Sequence, residues 1–149
     1  MTDPTAGSNL GDVLDLETMN SFNKGTLAER MGIEILEASP GKVVARMPVE
    51  GNTQPYGLLH GGASVVLAET VGSIAAAIAA GEGRAAMGLD ISSTHHRGVR
   101  SGYVTATATA LSEGRSVATY DIAIVDDDGR RVNTSRLTCV LRDAPTKAQ

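Results

Sequence analysis

TQPYGLLHGGASVVLAETVGSIAAAIAAG, Thr53 to Gly81, opens its apolar run on His60-Gly-Gly and carries one carboxylate, Glu69, near the centre. Gly61 to Gly81 is long enough to span a bilayer. A carboxylate at that depth costs about 2.5–3.5 kcal/mol on insertion scales, the many Ala, Gly and Ser residues supply little insertion energy, and no basic cluster flanks the run. The pattern predicts a helix inside a soluble protein and no membrane partner. Ala63, Val66, Leu67, Thr70, Val71, Ile74 and Ile78 recur at helical spacing and are expected to face a core. Glu69 and Ser73, four apart, share another face with Val65, Gly72, Ala76 and Ala80. That face lacks the Lys and Glu of a wetted helix and suits close packing against a second helix. Glu69 as a working carboxylate and Glu69 as an ordinary surface charge both stay open at this level. Gly61 and Gly62 are poor helix formers. At a helix start they leave backbone N–H groups open to a ligand and to developing negative charge, although a plain glycine turn reads the same way.

Around this helix the chain punctuates itself. Residues 1–11 read as a tail, 12–143 as one domain and 144–149 as a second tail. Leu14 to Gly32 reads as helix in two pieces, the second opening on Thr26-Leu-Ala-Glu29, a capping-box pattern. Ile33 to Ala38 and Lys42 to Val49 read as strands about a Ser39-Pro40-Gly41 turn. After the helix stops at Gly81-Glu82-Gly83, Ala85 to Thr94, Gly102 to Leu111, Ser116 to Val125 and Val132 to Leu141 read as strands, with Asp126-Asp-Asp-Gly129 as a hairpin turn. Short turns make successive strands antiparallel neighbours. The fold class is α+β, one antiparallel sheet wrapped around a long central helix.

The 149 residues suit a single domain. A net charge of −4 and 3% aromatic content give no basic, stacking surface for nucleic acid. The lone Cys139 excludes an internal disulfide and a CxxC zinc site and fits a reducing cytoplasm. The polar, acidic N-terminus lacks the features of a signal peptide. His95 and His96 are adjacent on a strand and point to opposite faces, so no metal site is expected.

QPYGLLHGGASVVLAETVGS resembles the active-site segment of the hot-dog-fold acyl-CoA thioesterases. It is most similar to the aroyl-CoA branch, which contains 4-hydroxybenzoyl-CoA thioesterase of the Arthrobacter type and 1,4-dihydroxy-2-naphthoyl-CoA hydrolase. The resemblance runs from about Met31 to Leu141, through GLDISSTHHRG and DDDGRRVNTSRLT. Its specificity lies in HGG with Gln54 six residues before the His and Glu69 eight after the first Gly. It implies Glu69 as the catalytic carboxylate, nucleophile or base on water. Gln54 and the Gly61 N–H polarise the thioester carbonyl, His60 stands beside them as catalyst or helix cap, and Ser73 helps place water or product. It implies Gly88 and His95, His96, Arg97 and Gly98 at the pantetheine and acyl portions. Ser112, Gly114, Arg115 and Ser116 lie towards the nucleotide, and Arg97, Arg100, Arg115 and Arg136 are phosphate candidates. No cofactor is implied. The substrate implied first is dihydroxynaphthoyl-CoA, in menaquinone biosynthesis, with 4-hydroxybenzoyl- and phenylacetyl-type CoA esters as rivals. A 3-hydroxyacyl dehydratase and a non-catalytic acyl-CoA binder are the competing classes.

Helix geometry adds a partner. Gly61 and Glu69 stand roughly 12 Å apart along one helix, too far for one chain to bring both to a single carbonyl. A homodimer with two antiparallel helices places Gln54, His60 and Gly61 of one chain beside Glu69 and Ser73 of the other, and the resemblance implies a dimer of dimers.

Overall fold

The computed structural model describes residues 15–145. Two short helices, α1 (Leu16–Ser21) and α2 (Leu27–Arg30), precede strands β1 (Glu34–Ser39) and β2 (Lys42–Pro48). The long helix α3 (Gly61–Ala80) follows, then β3 (Arg84–His95), β4 (Tyr103–Glu113), β5 (Val117–Asp126) and β6 (Arg131–Asp143). The six strands form one antiparallel sheet in the order β1-β2-β4-β5-β6-β3. It curls around α3, which packs against every strand. Alternate residues of the strands (Val43, Ala45 and Met47; Val104, Ala106 and Ala108; Tyr120, Ile122 and Ile124; Leu137, Cys139 and Leu141) point inward and are buried, as period-two patterning requires. This is the hot-dog arrangement. Helix α3 ends at Gly81, whose φ of +79° favours glycine. The whole of the expected first tail and the start of the first expected helix at Leu14 lie outside the described residues. Residues 146–149 of the second tail do too, while Ala144 N still donates to Gly83 O at 2.9 Å.

Three expectations need correction. The first concerns the face of α3. The buried residues are Ala63, Ser64, Leu67, Ala68, Val71, Gly72, Ala75, Ala76 and Ala80, whereas Val66, Thr70, Ile74 and Ile78 are half-buried on its flank. The helix is turned by roughly a quarter turn from the expected setting. A sheet curved this tightly needs the smallest side chains against it. A Cβ on Gly72 would sit 2.5 Å from Leu137 Cδ2 and 3.3 Å from Ile122 Cδ1. Gly72, Ala76 and Ala80 are thus small for their own sheet and not for a second helix. Outward on α3 lie Val66, Glu69, Thr70, Ser73 and Ala77, all only partly buried.

The second concerns strand order. β3 does not neighbour β4; it pairs with β6 at the far edge. The link over residues 96–102 crosses the end of the sheet, pinned by Leu59 N to Val99 O at 2.7 Å and Val49 N to Gly102 O at 2.9 Å. That crossing delivers the end of β3 to the start of α3. The third is the capping box. The Thr26 hydroxyl donates to Asn23 O, and Glu29 Oε2 accepts from Gly25 N, both at 2.6 Å. Glu29 reaches one residue too far back to close the box on Thr26.

The two sheet edges differ. Along β1, Asn20 of α1 accepts from Ile35 N at 2.8 Å and donates to Ile35 O at 3.1 Å, and Asn23 Nδ2 donates to Ile33 O at 3.3 Å. These amides occupy the groups a further strand would use. The β3 edge is open, carries a bulge between Gly88 and Asp90, and exposes Met87 and Leu89.

Candidate active site

The first turn of α3 is organised by His60. Its Nδ1 accepts from Gly62 N at 2.8 Å, and its carbonyl accepts from Ala63 N at 2.9 Å and Ser64 N at 3.3 Å. Gly61 N–H alone in that turn has no acceptor among the described residues, so a strong donor at the positive end of the helix points at open space. The loop before it is equally fixed. Asn52 Nδ2 donates to Met31 O and Pro48 O, both at 2.8 Å, and Asn52 O accepts from His60 N at 2.9 Å. Gln54 N donates to Leu58 O at 2.8 Å, and the Gln54 side-chain carbonyl accepts from Tyr56 N. Gln54, Gly61, Ser64 and the His95–Gly98 segment line a cavity of about 380 Å³. His95 closes on the helix so tightly that a Cβ on Gly61 would stand 2.9 Å from its Nε2. His95 Nδ1 lies 3.1 Å from Asn133 Nδ2, while His96 Nε2 lies 2.9 Å from Thr134 Oγ1. The adjacent histidines therefore do point apart, one to the inner and one to the outer face. Among the described residues no three His, Cys, Asp or Glu gather as metal ligands.

The carboxylate lies elsewhere in the chain. Glu69 is half-buried midway along α3 and rests on the backbone of Gly88, where any Cβ would overlap its Oε1. Gly88 sits at the β3 bulge, opposite Cys139 on β6, whose free thiol is buried. Burial pushes the pKa of the Cys139 thiol up and the charge on Glu69 adds to this, with the Ser73 hydroxyl opposing. The thiol stays protonated and is no nucleophile. Among the described residues no hydrogen bond is donated to the Glu69 carboxylate. Glu69, Ser73 and Gly88 do not line the cavity that holds Gln54 and Gly61.

The remaining expected residues lie at the β4–β5 turn, on β6 and in the link after β3. The turn with Ser112, Gly114, Arg115 and Ser116 is folded by Gly114 N donating to Val117 O at 2.9 Å. It is held by Arg84, whose Nη2 donates to Arg115 O at 2.7 Å and Leu141 O at 3.1 Å. Arg84 stands at one end of β3 and His95 at the other, roughly 35 Å of strand apart. Arg136 is exposed on the outer face, opposite Ser92 and Asp121, away from both groups. Arg100 Nη1 donates to Tyr56 O at 3.4 Å. Sequence reasoning missed Arg84, Ser64 and a hydrogen-bonded set of buried Asn133 and Ser135 with half-buried Ser93. Asn133 and Ser135 keep the inward phase of Leu137, Cys139 and Leu141, and polar residues in a core phase were the available signal.

A sheet wound on one helix, with a free N–H at the helix mouth and a lone carboxylate two turns on, defines a hot-dog hydrolase architecture. The thioesterase superfamily model matches residues 56–133, and the chain belongs to that family: it is a thioester hydrolase. It is 44% identical over 126 residues to the proofreading thioesterase EntH of Cronobacter turicensis, covering 84% of this chain and 92% of that protein. It is 46% identical over 138 residues to a Vibrio cholerae protein assigned only provisionally as an esterase, covering 91% and 92%. The crystal structure of a thioesterase from Haemophilus influenzae superposes with a TM-score of 0.87 at 37% identity, covering 93% of this chain and 98% of that one. A Staphylococcus aureus thioesterase, 33% identical, has been solved with a Glu and with a Gln replaced by Ala, fifteen residues apart.

Proposed function

We propose that the protein hydrolyses an acyl-CoA thioester in a site built from two chains. The observation that carries this is the separation of its two halves: the cavity holding Gln54 and the free Gly61 N–H contains no carboxylate, and Glu69 faces away from it in the same chain. Gln54 and Glu69 are fifteen residues apart, the spacing of the two positions altered in the Staphylococcus relative. The open β3 edge supports pairing there. Antiparallel two-fold pairing centred between Ile91 and Ser92 sets Gly88, and with it Glu69, of the partner subunit opposite His95. It also carries the partner's Ser112–Val117 turn towards the His95–Gly98 segment, so that one CoA can touch both. The outward residues Val66, Thr70, Ser73 and Ala77 then meet the second helix, and two such dimers assemble as a tetramer.

In this site Gln54 and Gly61 N–H bind the thioester carbonyl oxygen, and their hydrogen bonds strengthen as that oxygen gains charge. Glu69 either attacks the carbonyl carbon, forming an anhydride that water opens, or takes a proton from the attacking water. The C–S bond breaks and the thiolate leaves without strong acid help, because its conjugate thiol has a pKa of about 8.5. His60 caps the helix and aims Gly61, and Ser73 orients water. An apolar recess of about 250 Å³, lined by Met19, Phe22, Ile35, Ile74, Ala77 and Ile78 among others, begins at the residue after Ser73 and supports an apolar acyl group. An aromatic acyl-CoA, dihydroxynaphthoyl-CoA first, fits the likeness of the HGGASVVLAE segment, and the reaction then belongs in a reducing cytoplasm. The kinship to EntH favours a second reading, a proofreading thioesterase.

Thiol release from a panel of aroyl and aliphatic CoA esters tests the substrate class. An aliphatic ester exceeding every aroyl ester tenfold in kcat/KM defeats the aromatic assignment, and a flat profile favours proofreading. Mixing inactive Glu69→Ala chains with inactive Gln54→Ala chains tests the shared site. Heterodimers should regain up to one working site of two, and no recovery after confirmed subunit exchange sinks it. Single-turnover hydrolysis in labelled water separates the two roles of Glu69, since only the anhydride route places label in the enzyme carboxylate.

A further inference from the structure

Asn133 is fully buried on the inner face of β6, where the phase of the strand calls for an apolar side chain. Its neighbours on β3 are polar too. Asn133 stands directly opposite His95, and Ser135 opposite Ser93. Asn133 Nδ2 donates to Ser93 Oγ at 2.7 Å and to His95 Nδ1 at 3.1 Å, which uses both amide protons. The Ser135 hydroxyl is 2.7 Å from Asn133 Oδ1, to which it donates, and 2.9 Å from Ser93 Oγ. The cluster is fully satisfied, so it escapes the 1–3 kcal/mol or so that an unpaired buried amide costs. Filling the space alone would need no such cluster, since apolar residues pack the rest of this face.

The direction of these bonds has a chemical consequence. A nitrogen that accepts from Asn133 carries a lone pair, so in a neutral imidazole the ring proton sits on the other nitrogen, Nε2. His95 Nε2 is the atom packed against Gly61, 2.9 Å from where a Cβ would be. It therefore borders the one unengaged N–H of the helix turn, inside the cavity that Gln54 also lines.

We propose that Asn133 is a positioning residue: with Ser93 and Ser135 it holds His95 in the Nε2–H form against Gly61, and His95 donates a further hydrogen bond to the thioester carbonyl oxygen. This rests on the thioesterase reading above. His95 then contributes to the carbonyl clamp rather than only to contacts with the CoA arm, and the clamp is aimed by residues that never touch substrate.

The proton on His95 is read directly in the wild-type enzyme by long-range proton–nitrogen NMR of the imidazoles, with His95→Ala for assignment. The expected result is a bare Nδ1 and a protonated Nε2; a proton on Nδ1 overturns the proposal. Asn133→Asp keeps the shape but offers an acceptor where Asn133 donates, so the proton should move to Nδ1. Its kcat for acyl-CoA should fall about 10²-fold, the lower range for loss of one oxyanion donor, with KM much less affected. In a His95→Ala background the same change should alter kcat by less than about twofold, the ordinary error of additivity. An equal loss in both backgrounds means that Asn133 supports structure only and ends the proposal. Should wild-type protein show the Nε2 proton yet release thiol from no acyl-CoA, the thioesterase reading fails, and the catalytic role of His95 falls with it although its geometry stands.

Discussion

The two halves of the site are built by opposite means. Around Gly61 the groups that frame its free N–H are held: His60 caps the turn, Asn52 ties the loop, and Asn133 bonds His95. Around Glu69 nothing among the described residues is donated to the carboxylate, and its place is made by what is missing, the side chain of Gly88. Donors that stabilise a transition-state charge act best when aimed beforehand, with no reorganisation left for the reaction step. A carboxylate that must attack or take a proton works better with its lone pairs uncommitted, since each bond accepted by the charged form makes it a weaker base. Rigid bonding suits one half and vacancy suits the other.

The largest test removes the free half. Glu69→Gln keeps the shape and loses the charge, and turnover should vanish while acyl-CoA still binds. Retention of more than about a tenth of kcat, a loss under about 1.4 kcal/mol, would mean that Glu69 is not the catalytic group. Gly88→Ala attacks the same half through its vacancy. The new methyl takes the space of Oε1, and displacing a reacting group by about 1 Å can cost on the order of 10²-fold. Thermal stability should hold or rise, because Gly inside a strand is worth roughly 0.5–1 kcal/mol less than Ala. A full-rate Gly88→Ala enzyme would show that the Glu69 position seen here is not the working one.

Gly61→Ala tests the bonded half and should cost less. The backbone donor survives, and only the His95 ring must turn away from the new methyl, 2.9 Å from Nε2. A loss of about tenfold in kcat is expected, below the 10²–10³ of a deleted oxyanion donor. It should disappear when His95 is already Ala; persistence would place the damage in the backbone instead.

How much of this was readable beforehand follows the same division. The strands, the hairpin at Asp126–Gly129, the helix and its Gly81 stop stood out because alternation and turn chemistry are local. Gln54, His60, Gly61 and Glu69 stood out because their spacing matches a known motif. The setting of α3 was not readable, because nearly all its faces are apolar and side-chain size misleads where a curved sheet demands Gly72 and Ala76. The place of β3 was hidden as well, since a short link such as 96–102 ordinarily joins neighbours, and only the full sheet shows it crossing. Asn133 and Ser135 showed as polar residues in the inward phase of β6, but what they hold is visible only once their partners on β3 are known.

The smallest expected effect concerns the scaffold under the bonded half. The link 96–102 that delivers His95 is braced by the β5–β6 turn: Asp127 Oδ2 accepts from Tyr103 N at 3.0 Å beside Gly102. That turn is folded by Asp126, which accepts from Asp128 N at 3.0 Å and Arg130 N at 2.9 Å and pairs with Arg130 Nε at 2.9 Å. Burial works against the Asp126 carboxylate, but the hydrogen bonds and charge of Arg130, with Asp128 N, outweigh it and hold its pKa below the usual carboxylate range. A depressed folded-state pKa contributes stability that is present above the unfolded value of about 3.9 and is lost as pH falls through the lower folded value. Asp126→Asn should therefore lower Tm at pH 7, and the gap from wild type should narrow steadily below about pH 4. The residual activity of the variant at pH 7 should fall through the clamp, leaving the Glu69 half untouched. Adding Asp126→Asn to Gly61→Ala should then cost less than its effect alone, while adding it to Gly88→Ala should cost its full effect. A Tm gap that stays constant from pH 7 to pH 3 would show that the charge of Asp126 contributes nothing to the turn.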